Sequence, residues 1–188
     1  MTRPPALKQQ VHDVLRTHLA AGDRVIDATM GNGHDTLLLA RLVAPNGRVA
    51  AFDIQPAAVE NTRQRLTEAG LLDNVTLYLV SHDRLLTTLG PDWPGRVAAV
   101  TFNLGYLPGG DKSLITRART TVAALDQALG TLHPGGLLSL MLYRGHPGAN
   151  EETAAVQHWL TELPERCRVE VRESRGPILY LVRLSDPR

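Results

Sequence analysis

Apolar positions along the chain follow two spacings. Short runs of β-branched or aliphatic residues, typical of buried strands, are separated by longer segments with apolar residues at the spacing of helices. The first helical segment is predicted at 7–21, with Val11, Val14, Leu15 and Leu19 at this spacing. Strands are predicted at 24–28, 48–53, 75–80, 96–102 and 137–143, and further helices at 36–43, 56–69, 112–132 and 150–163.

The C-terminal part of the pattern predicts an antiparallel hairpin. Residues 168–172 and 178–184 alternate in polarity and are joined by a Gly-Pro turn at 176–177. Strands separated by helices form right-handed βαβ units, and these build a parallel sheet with helices on both faces. We expect one α/β domain over 1–188, with a doubly wound, mostly parallel, seven-stranded sheet and an antiparallel last strand. An N-terminal helical segment, 1–22, is expected to pack on it.

The composition is that of a globular protein, with 188 residues, 43% hydrophobic and 21% charged. No apolar run approaches the roughly 20 residues that cross a bilayer. The first ten residues are polar and lack the apolar segment of a signal peptide. Cys167, the single cysteine, cannot form an intrachain disulfide or by itself hold zinc. We therefore expect a cytoplasmic protein without a metal site or a membrane partner.

The net charge of +1 is too low for a strongly basic nucleic-acid binder. We expect no DNA partner, and any contact with RNA has to depend on a local basic patch. All basic residues other than Lys8 and Lys112 are arginines, which suit bidentate phosphate binding and stacking on bases. A GC-rich coding bias explains the same preference.

The loop after the first strand has the composition of a ligand-binding turn. Gly31 and Gly33 allow a sharp turn and a close approach to a ligand, and the next helix presents free N–H groups. Thr36 stands where a dinucleotide fingerprint has its third glycine, and Asp27 and Asp35 add negative charge. This favours a ligand with a cationic part, such as S-adenosylmethionine, although a tight turn alone also explains the glycines. The expected cofactor contacts here are Asp27, Thr29, Gly31, Asn32, Gly33, His34, Asp35 and Thr36.

Polar residues also follow the second and third strands. Asp53 ends the second strand, where a carboxylate can accept hydrogen bonds from both hydroxyls of a ribose. A helix cap before Pro56 is the alternative role. After the third strand, Ser81 and His82 are placed to recognise an adenine edge, or Ser81 caps a helix. The expected cofactor contacts in these loops are Asp53, Ile54, Gln55, Ser81 and His82.

The loop after the fourth strand, residues 103–111, is the most informative. Asn103 at the strand tip can accept a hydrogen bond from a substrate amine, and the Leu104 carbonyl can accept a second one. Together they would hold a neutral amine with its lone pair directed at a methyl donor, and Tyr106 could stack on a base. The segment is similar to the Asn-Pro-Pro-Tyr loop of amino-methylating enzymes, with Leu-Gly in place of Pro-Pro. The alternative is a surface loop rich in glycine and proline, but such a loop does not require Asn103 and Tyr106 at this spacing.

Two further groups of residues lie near the same edge of the predicted sheet. His146 follows the fifth strand and could bind substrate or act as a base near neutral pH, or be structural. Lys112, Arg117 and Arg119, at the start of the predicted helix 112–132 that follows the Asn103 loop, are candidate phosphate contacts, or simply a solvated helix face. His12, His34 and His82 are weaker candidates for a functional role.

Four segments resemble one family, and the resemblance extends over about 11–183. They are residues 27–36, 52–55, 102–112 and 143–146, the last accompanied by Glu151-Glu152. The chain resembles the YtqB-like proteins, long labelled rRNA methylases and now assigned as tRNA methyltransferases of the MnmM type. The Asn103 segment is long and specific, and it carries most of this resemblance.

The resemblance implies a class I methyltransferase fold with strand order 3-2-1-4-5-7-6, S-adenosylmethionine as methyl donor, and the tRNA anticodon arm as partner. It implies N-methylation of the 5-aminomethyl group of 2-thiouridine at the wobble position. An rRNA or small-molecule amine substrate, or a non-catalytic cofactor-binding module, remain alternatives, and the oligomeric state, a homodimer included, stays open. The implied catalytic residues are Asn103, Tyr106 and His146. The implied substrate contacts are Leu104, Gly105, Tyr106, Pro108, Gly109, Lys112, Arg117, Arg119, Tyr143 and His146.

Overall fold

The computed structural model describes residues 6–107, 109, 115–145 and 147–185. The strands are β1 (Arg24–Asp27), β2 (Arg48–Asp53), β3 (Val75–Leu79), β4 (Val97–Leu104), β5 (Leu132–Leu142), β6 (Cys167–Glu173) and β7 (Ile178–Leu184). The helices are α1 (Leu7–His18), α2 (His34–Val43), α3 (Pro56–Glu68), α4 (Leu85–Thr88), α5 (Ala118–Thr131) and α6 (Ala149–Thr161). The strands form one sheet in the order β3-β2-β1-β4-β5-β7-β6.

The sheet is parallel from β3 to β5 and antiparallel beyond. β1 pairs with β2 on one side and β4 on the other, so that Ile26 lies opposite both Ala50 and Val100. β7 is antiparallel to β5 and to β6. The predicted strand order and the antiparallel last strand are confirmed. Because the strand order reverses between β1 and β4, the loops at their carboxyl ends open a crevice there.

Helices cover both faces of the central strands, and the strands are accordingly apolar throughout. Residues 97–102 of β4 are buried at every position. One face packs against α5 and α6 through Leu125 and Trp159. The other face packs against α1 and α2 through Leu15 and Leu39. This second cluster holds α1 beside the loop that follows β1.

The junction of α5 and β5 differs from the prediction. The prediction ended the helix at 132 and placed a turn at 133–136, but β5 already begins at Leu132 and includes these residues. The pairing with β4 shifts register between Val97 and Ala99. A Cβ on Gly136 would lie 2.9 Å from the His133 carbonyl oxygen, so this glycine permits a tight irregularity within the strand.

Other boundaries shift by a few residues. β4 continues through Asn103 to Leu104, because both residues pair with β5. α1 ends at His18, earlier than predicted, because Leu19 adopts extended backbone. The prediction missed the short helices at Leu72–Asn74, His82–Arg84 and Leu85–Thr88. Within the described ranges, none of the helices combines the length and apolarity that crossing a bilayer requires.

Candidate active site

Asp27, at the end of β1, hydrogen-bonds to two residues of the segment that follows it. It is fully buried, and its carboxylate accepts a hydrogen bond from Thr36 Oγ1 at 2.6 Å and one from the Thr29 N–H at 3.2 Å. Burial, and then the nearby charge of Asp35, raise the pKa of Asp27 to about 7. Asp27 and Thr36 were expected to contact the cofactor, but both lie beneath the loop and do not line its cavities.

Gly33 serves a contact between two helices. It caps α2 with a φ of 77°, a backbone conformation that favours glycine. A Cβ at this position would lie 2.8 Å from the Thr62 Cα of α3. Gly33 was also predicted to contact the cofactor, but it lies in this packing contact and does not line either cavity described below.

Asp53 connects the first two loops. Its Oδ2 accepts the N–H of Gly31 at 3.0 Å, and its Oδ1 accepts the N–H of Gln55 at 3.0 Å. A carboxylate has about four acceptor positions, so each oxygen keeps one after these bonds. Asp53 lines a cavity beside the half-exposed Ile54. Its remaining acceptor positions suit the paired hydroxyls of a ribose.

His82 contributes a buried ring to the same cavity. It is 8% exposed, and its ring packs edge-on against Phe102 with the centroids 5.7 Å apart. Burial lowers the pKa of His82, so the ring is neutral near pH 7. Among the described residues, its Nε2 has no hydrogen-bond partner. A buried polar atom that borders a cavity is suited to a polar atom of a ligand.

Asn103 is held from two sides at the end of β4. Its backbone N–H donates to Thr29 Oγ1 at 2.7 Å, and its side-chain Nδ2 donates to Asp35 Oδ2 at 2.9 Å. Because a carboxylate only accepts, the amide must present its NH2 group to Asp35. In the part of the chain that the structure describes, the Asn103 Oδ1 has no hydrogen-bond partner, so it is the acceptor left for another group.

Two cavities meet at Asn103. We call the first the Asp53 cleft; it is also lined by Ile54, His82, Leu107 and Ile115. We call the second the Asp35 pocket; it is also lined by Lys8, Asn32, His34, Tyr143 and Arg144. The residues that line both are Thr29, Gly31, Asn103, Gly105 and Tyr106. A ligand in the cleft and a ligand in the pocket would therefore touch the same Asn103 side chain.

Two tyrosines stand at the mouth of the Asp35 pocket. Tyr106 is 44% exposed and Tyr143 is 40% exposed, which leaves ring surface open to a ligand. Burial, and then the negative charge of Asp35, raise the pKa of Tyr143. Its hydroxyl is therefore neutral near pH 7. Exposed aromatic faces beside a polar pocket are typical of surfaces that stack with nucleobases.

Leu104 corrects one expectation. Its carbonyl oxygen accepts the N–H of Tyr143 at 3.0 Å, as part of the pairing between β4 and β5. The Leu104 side chain is fully buried and lines neither cavity. The second acceptor predicted for a substrate amine is therefore engaged within the sheet.

The remaining predicted contacts divide into three groups. Gln55 and Ser81 line the Asp53 cleft. Gly109, Arg117 and Arg119 are exposed and line neither cavity. Arg117 and Arg119 flank the start of α5, next to Thr116 and Thr120 of the cleft. The predicted contacts that lie outside the described residues are Pro108, Lys112 and His146.

The structure brings to the site two residues for which no role was predicted and one that was a weak candidate. Lys8 and Arg144 line the Asp35 pocket. His12, a weak candidate, lies with its Nε2 2.7 Å from Asp35 Oδ1. Arg144 lies within the segment 143–146 that resembles the family, and this resemblance could have indicated its place in the site. Nothing in the sequence connected Lys8 or His12 to Asp35, because they belong to a helix far from the loops in sequence.

The Asp53 cleft fits the adenosine part of S-adenosylmethionine. It combines a fixed carboxylate, a neutral buried imidazole and the apolar walls of Leu107 and Ile115. Among the described residues, no group of three or more His, Cys, Asp or Glu side chains could hold a metal ion.

Comparisons with known proteins agree with this site. A family model described as "Putative rRNA methylase" matches residues 49–174, and one for protein-L-isoaspartate O-methyltransferases matches residues 3–83. A curated relative named "tRNA (mnm(5)s(2)U34)-methyltransferase, chloroplastic", from Arabidopsis thaliana, is 43% identical over 161 residues. The match covers 81% of this chain and 58% of that relative, so the chain spans little more than half of the relative's length.

Two solved structures match over almost their whole length. A chain described as a putative rRNA-methylase from Clostridium thermocellum has a TM-score of 0.90 at 39% identity, with coverage of 97% of this chain and 99% of that one. A putative methyltransferase from Streptococcus mutans, in complex with SAH, has a TM-score of 0.84 at 33% identity and the same coverage. The fold and the site define a class I methyltransferase dependent on S-adenosylmethionine. Within that class, the chain belongs to the family described as "Putative rRNA methylase".

Proposed function

We propose that this chain N-methylates the 5-aminomethyl group of 5-aminomethyl-2-thiouridine at position 34 of tRNA, to give 5-methylaminomethyl-2-thiouridine. The observation that carries the proposal is the fixed Asn103 amide between the two cavities. Its Oδ1, which has no hydrogen-bond partner among the described residues, is an acceptor for the N–H of an amine. The name of the Arabidopsis relative, which refers to this wobble uridine, supports the choice of substrate.

The chemistry requires a neutral amine. A primary alkylamine is protonated near pH 7, and its lone pair is then blocked. Partial burial in the Asp35 pocket and the positive charge of Lys8 favour the uncharged form, against the opposing effect of the Asp35 carboxylate. The released proton goes to water or to His146. When bound, S-adenosylmethionine supplies a methyl group on a positively charged sulfur. Asn103 accepts one N–H of the amine, which orients the lone pair towards the Asp53 cleft. Such alignment can account for up to about 7–11 kcal/mol of a barrier.

The mouth of the Asp35 pocket suits a base from a single-stranded loop. A wobble uridine is unpaired within its anticodon loop and can enter a pocket without opening a duplex. Tyr106 and Tyr143 offer the ring faces that such a base stacks on. Arg117 and Arg119 lie exposed beside the cleft, and with Lys112 they are proposed to contact phosphates of the anticodon arm.

The test is methyl transfer in vitro to tRNA that carries the 5-aminomethyl precursor. We expect mass spectrometry of the digested nucleosides to show a gain of one methyl group on this uridine, dependent on S-adenosylmethionine. tRNA without the aminomethyl group is the matched control and should stay unmodified. Transfer to that control tRNA, to rRNA or to a free alkylamine in preference to the precursor would contradict the proposed substrate.

A further inference from the structure

Two polar side chains of helix α1, His12 and Lys8, contact Asp35 at the site, although α1 is not one of the loops that line the cleft. His12 Nε2 lies 2.7 Å from Asp35 Oδ1, and Lys8 Nζ lies 3.7 Å from the same oxygen. The other oxygen of Asp35 accepts the side-chain NH2 of Asn103 at 2.9 Å. These contacts link His12 of α1, Asp35 of α2 and Asn103 at the end of β4. The side chains of His12 and Asp35 are only 16% and 13% exposed.

The orientation of the Asn103 amide decides what the site can bind. An asparagine amide has nearly the same shape in its two orientations, so its hydrogen-bond partners select between them. With Asp35 ionised, the NH2 group must face Asp35 and the Oδ1 must face away. In the opposite orientation, the NH2 group would donate to the lone pair of a substrate amine. That lone pair would then be unavailable for methyl transfer.

Asp35 stays ionised because of its partners on α1. Burial raises the pKa of Asp35, but the hydrogen bond from His12 and the charge of Lys8 outweigh it and hold the pKa below the usual 3.8. Leu7, Val11 and Leu15 of α1 are buried in the core cluster on this face of the sheet. The apolar side of the helix thus fixes its position, and its polar side chains meet Asp35.

We infer that Asp35 is a positioning residue that fixes the Asn103 amide for a nitrogen nucleophile, with His12 holding Asp35 in place from α1. The inference deepens the proposed function and rests on it, because it takes the group at Asn103 to be an amine. It also differs from the expectation that Asp35 contacts the cofactor directly. The two roles separate in experiment, since a cofactor contact governs binding of S-adenosylmethionine and a positioning residue governs turnover.

The first test compares Asp35→Asn with wild type. An asparagine at 35 can donate or accept, so it no longer selects one orientation of Asn103. We expect kcat for the tRNA precursor to fall about 10-fold or more, while KM for tRNA and Kd for S-adenosylmethionine stay within about 3-fold. An unchanged kcat overturns the inference. A loss of cofactor affinity that accounts for the whole loss of rate also overturns it, in favour of direct contact with the cofactor.

The second test uses His12, with a conservative rescue. His12→Gln keeps an N–H donor for Asp35 and should retain a kcat near wild type, whereas His12→Phe removes the donor and should lower kcat about as Asp35→Asn does. His18→Gln is the matched control on the same helix, since His18 bonds to the backbone oxygen of Ala98 and not to Asp35. Equal activity of the Gln and Phe variants at position 12 would contradict the role given to His12.

A third measurement does not depend on turnover. The side-chain amide of Asn103, assigned in a 15N–1H spectrum by its loss in Asn103→Ala, should exchange slowly in wild type. It should shift and exchange faster in Asp35→Asn and in His12→Phe. Absence of these changes overturns the inference whatever the substrate is. Failure of wild type to methylate the precursor, with the amide behaviour as expected, instead overturns the proposed function alone.

Discussion

The Gly31 N–H donates to Asp53 Oδ2 at 3.0 Å and so joins two loops that are 22 residues apart. This bond orients the carboxylate towards the Asp53 cleft. We expect Asp53→Ala to weaken binding of S-adenosylmethionine by roughly 10–100-fold, because hydrogen bonds to a charged group contribute about 1.5–3 kcal/mol. Calorimetric titration measures the change. Asp73→Asn, on an exposed short helix away from the cleft, is the control and should bind as wild type.

Asn103 is predicted to govern turnover more than binding. Asn103→Ala removes the acceptor proposed for the amine but leaves Asp53 and His82 in place. We expect kcat to fall about 100-fold or more, with Kd for S-adenosylmethionine changed by no more than about 3-fold. Single-turnover kinetics and titration on the same preparation separate the two effects. If cofactor affinity collapses and turnover of the bound complex is kept, Asn103 binds the cofactor and not the amine.

Arg117 and Arg119 are predicted to contribute to tRNA binding. We expect Arg117→Glu combined with Arg119→Glu to weaken tRNA binding about 10-fold or more, and to reduce its dependence on salt by about one counterion per contact. Cofactor affinity should not change. The double variant Arg48→Glu and Arg96→Glu is the matched control, because both residues are exposed at the opposite, amino edge of the sheet. Equal tRNA affinity of the two double variants would exclude Arg117 and Arg119 from the interface.

Glu152 connects α6 to the segment that leads into α5. It is 3% exposed and accepts hydrogen bonds from Thr116 Oγ1 at 2.7 Å and Thr121 Oγ1 at 2.6 Å. Glu152→Ala leaves both hydroxyls without this partner, so we expect the free energy of unfolding to fall by about 1–3 kcal/mol. Urea unfolding measures it. Glu151→Ala, one residue earlier and exposed, should change stability by less than about 0.5 kcal/mol.

Asp27 should make stability depend on pH. Its pKa of about 7 in the folded chain lies above the ordinary 3.8, so between these values the folded state binds more protons than the unfolded state. Protonated Asp27 therefore stabilises the folded state at low pH. This contribution to the free energy of unfolding is lost as the pH rises towards 7 and just beyond. We expect Asp27→Asn to be more stable relative to wild type at pH 8 than at pH 5. Urea unfolding at both values tests this, and a constant difference would contradict it.

The sequence predicted most of the sheet because its strands are buried on both faces. The bounds of β2 are as predicted, since a continuous apolar run with polar ends leaves little freedom. The start of β5 was missed, because His-Pro-Gly-Gly is typical of a turn. Leu132 and Leu137, on either side of these residues, pair with Val97 and Ala99 of β4, so the strand continues across them, and this pairing partner is distant in the chain.

The sequence by itself determined which loops form the site, because carboxyl ends of parallel strands meet at one edge of a sheet. Loop composition could not distinguish Asp53, which lines the cleft, from Asp27, which lies beneath a loop. Only the tertiary structure decided that difference, and only it brought His12 and Asp35 into contact across 23 residues. The physical reason is that burial of one apolar face of α1 sets where its polar residues lie, and this depends on the packing of the whole core.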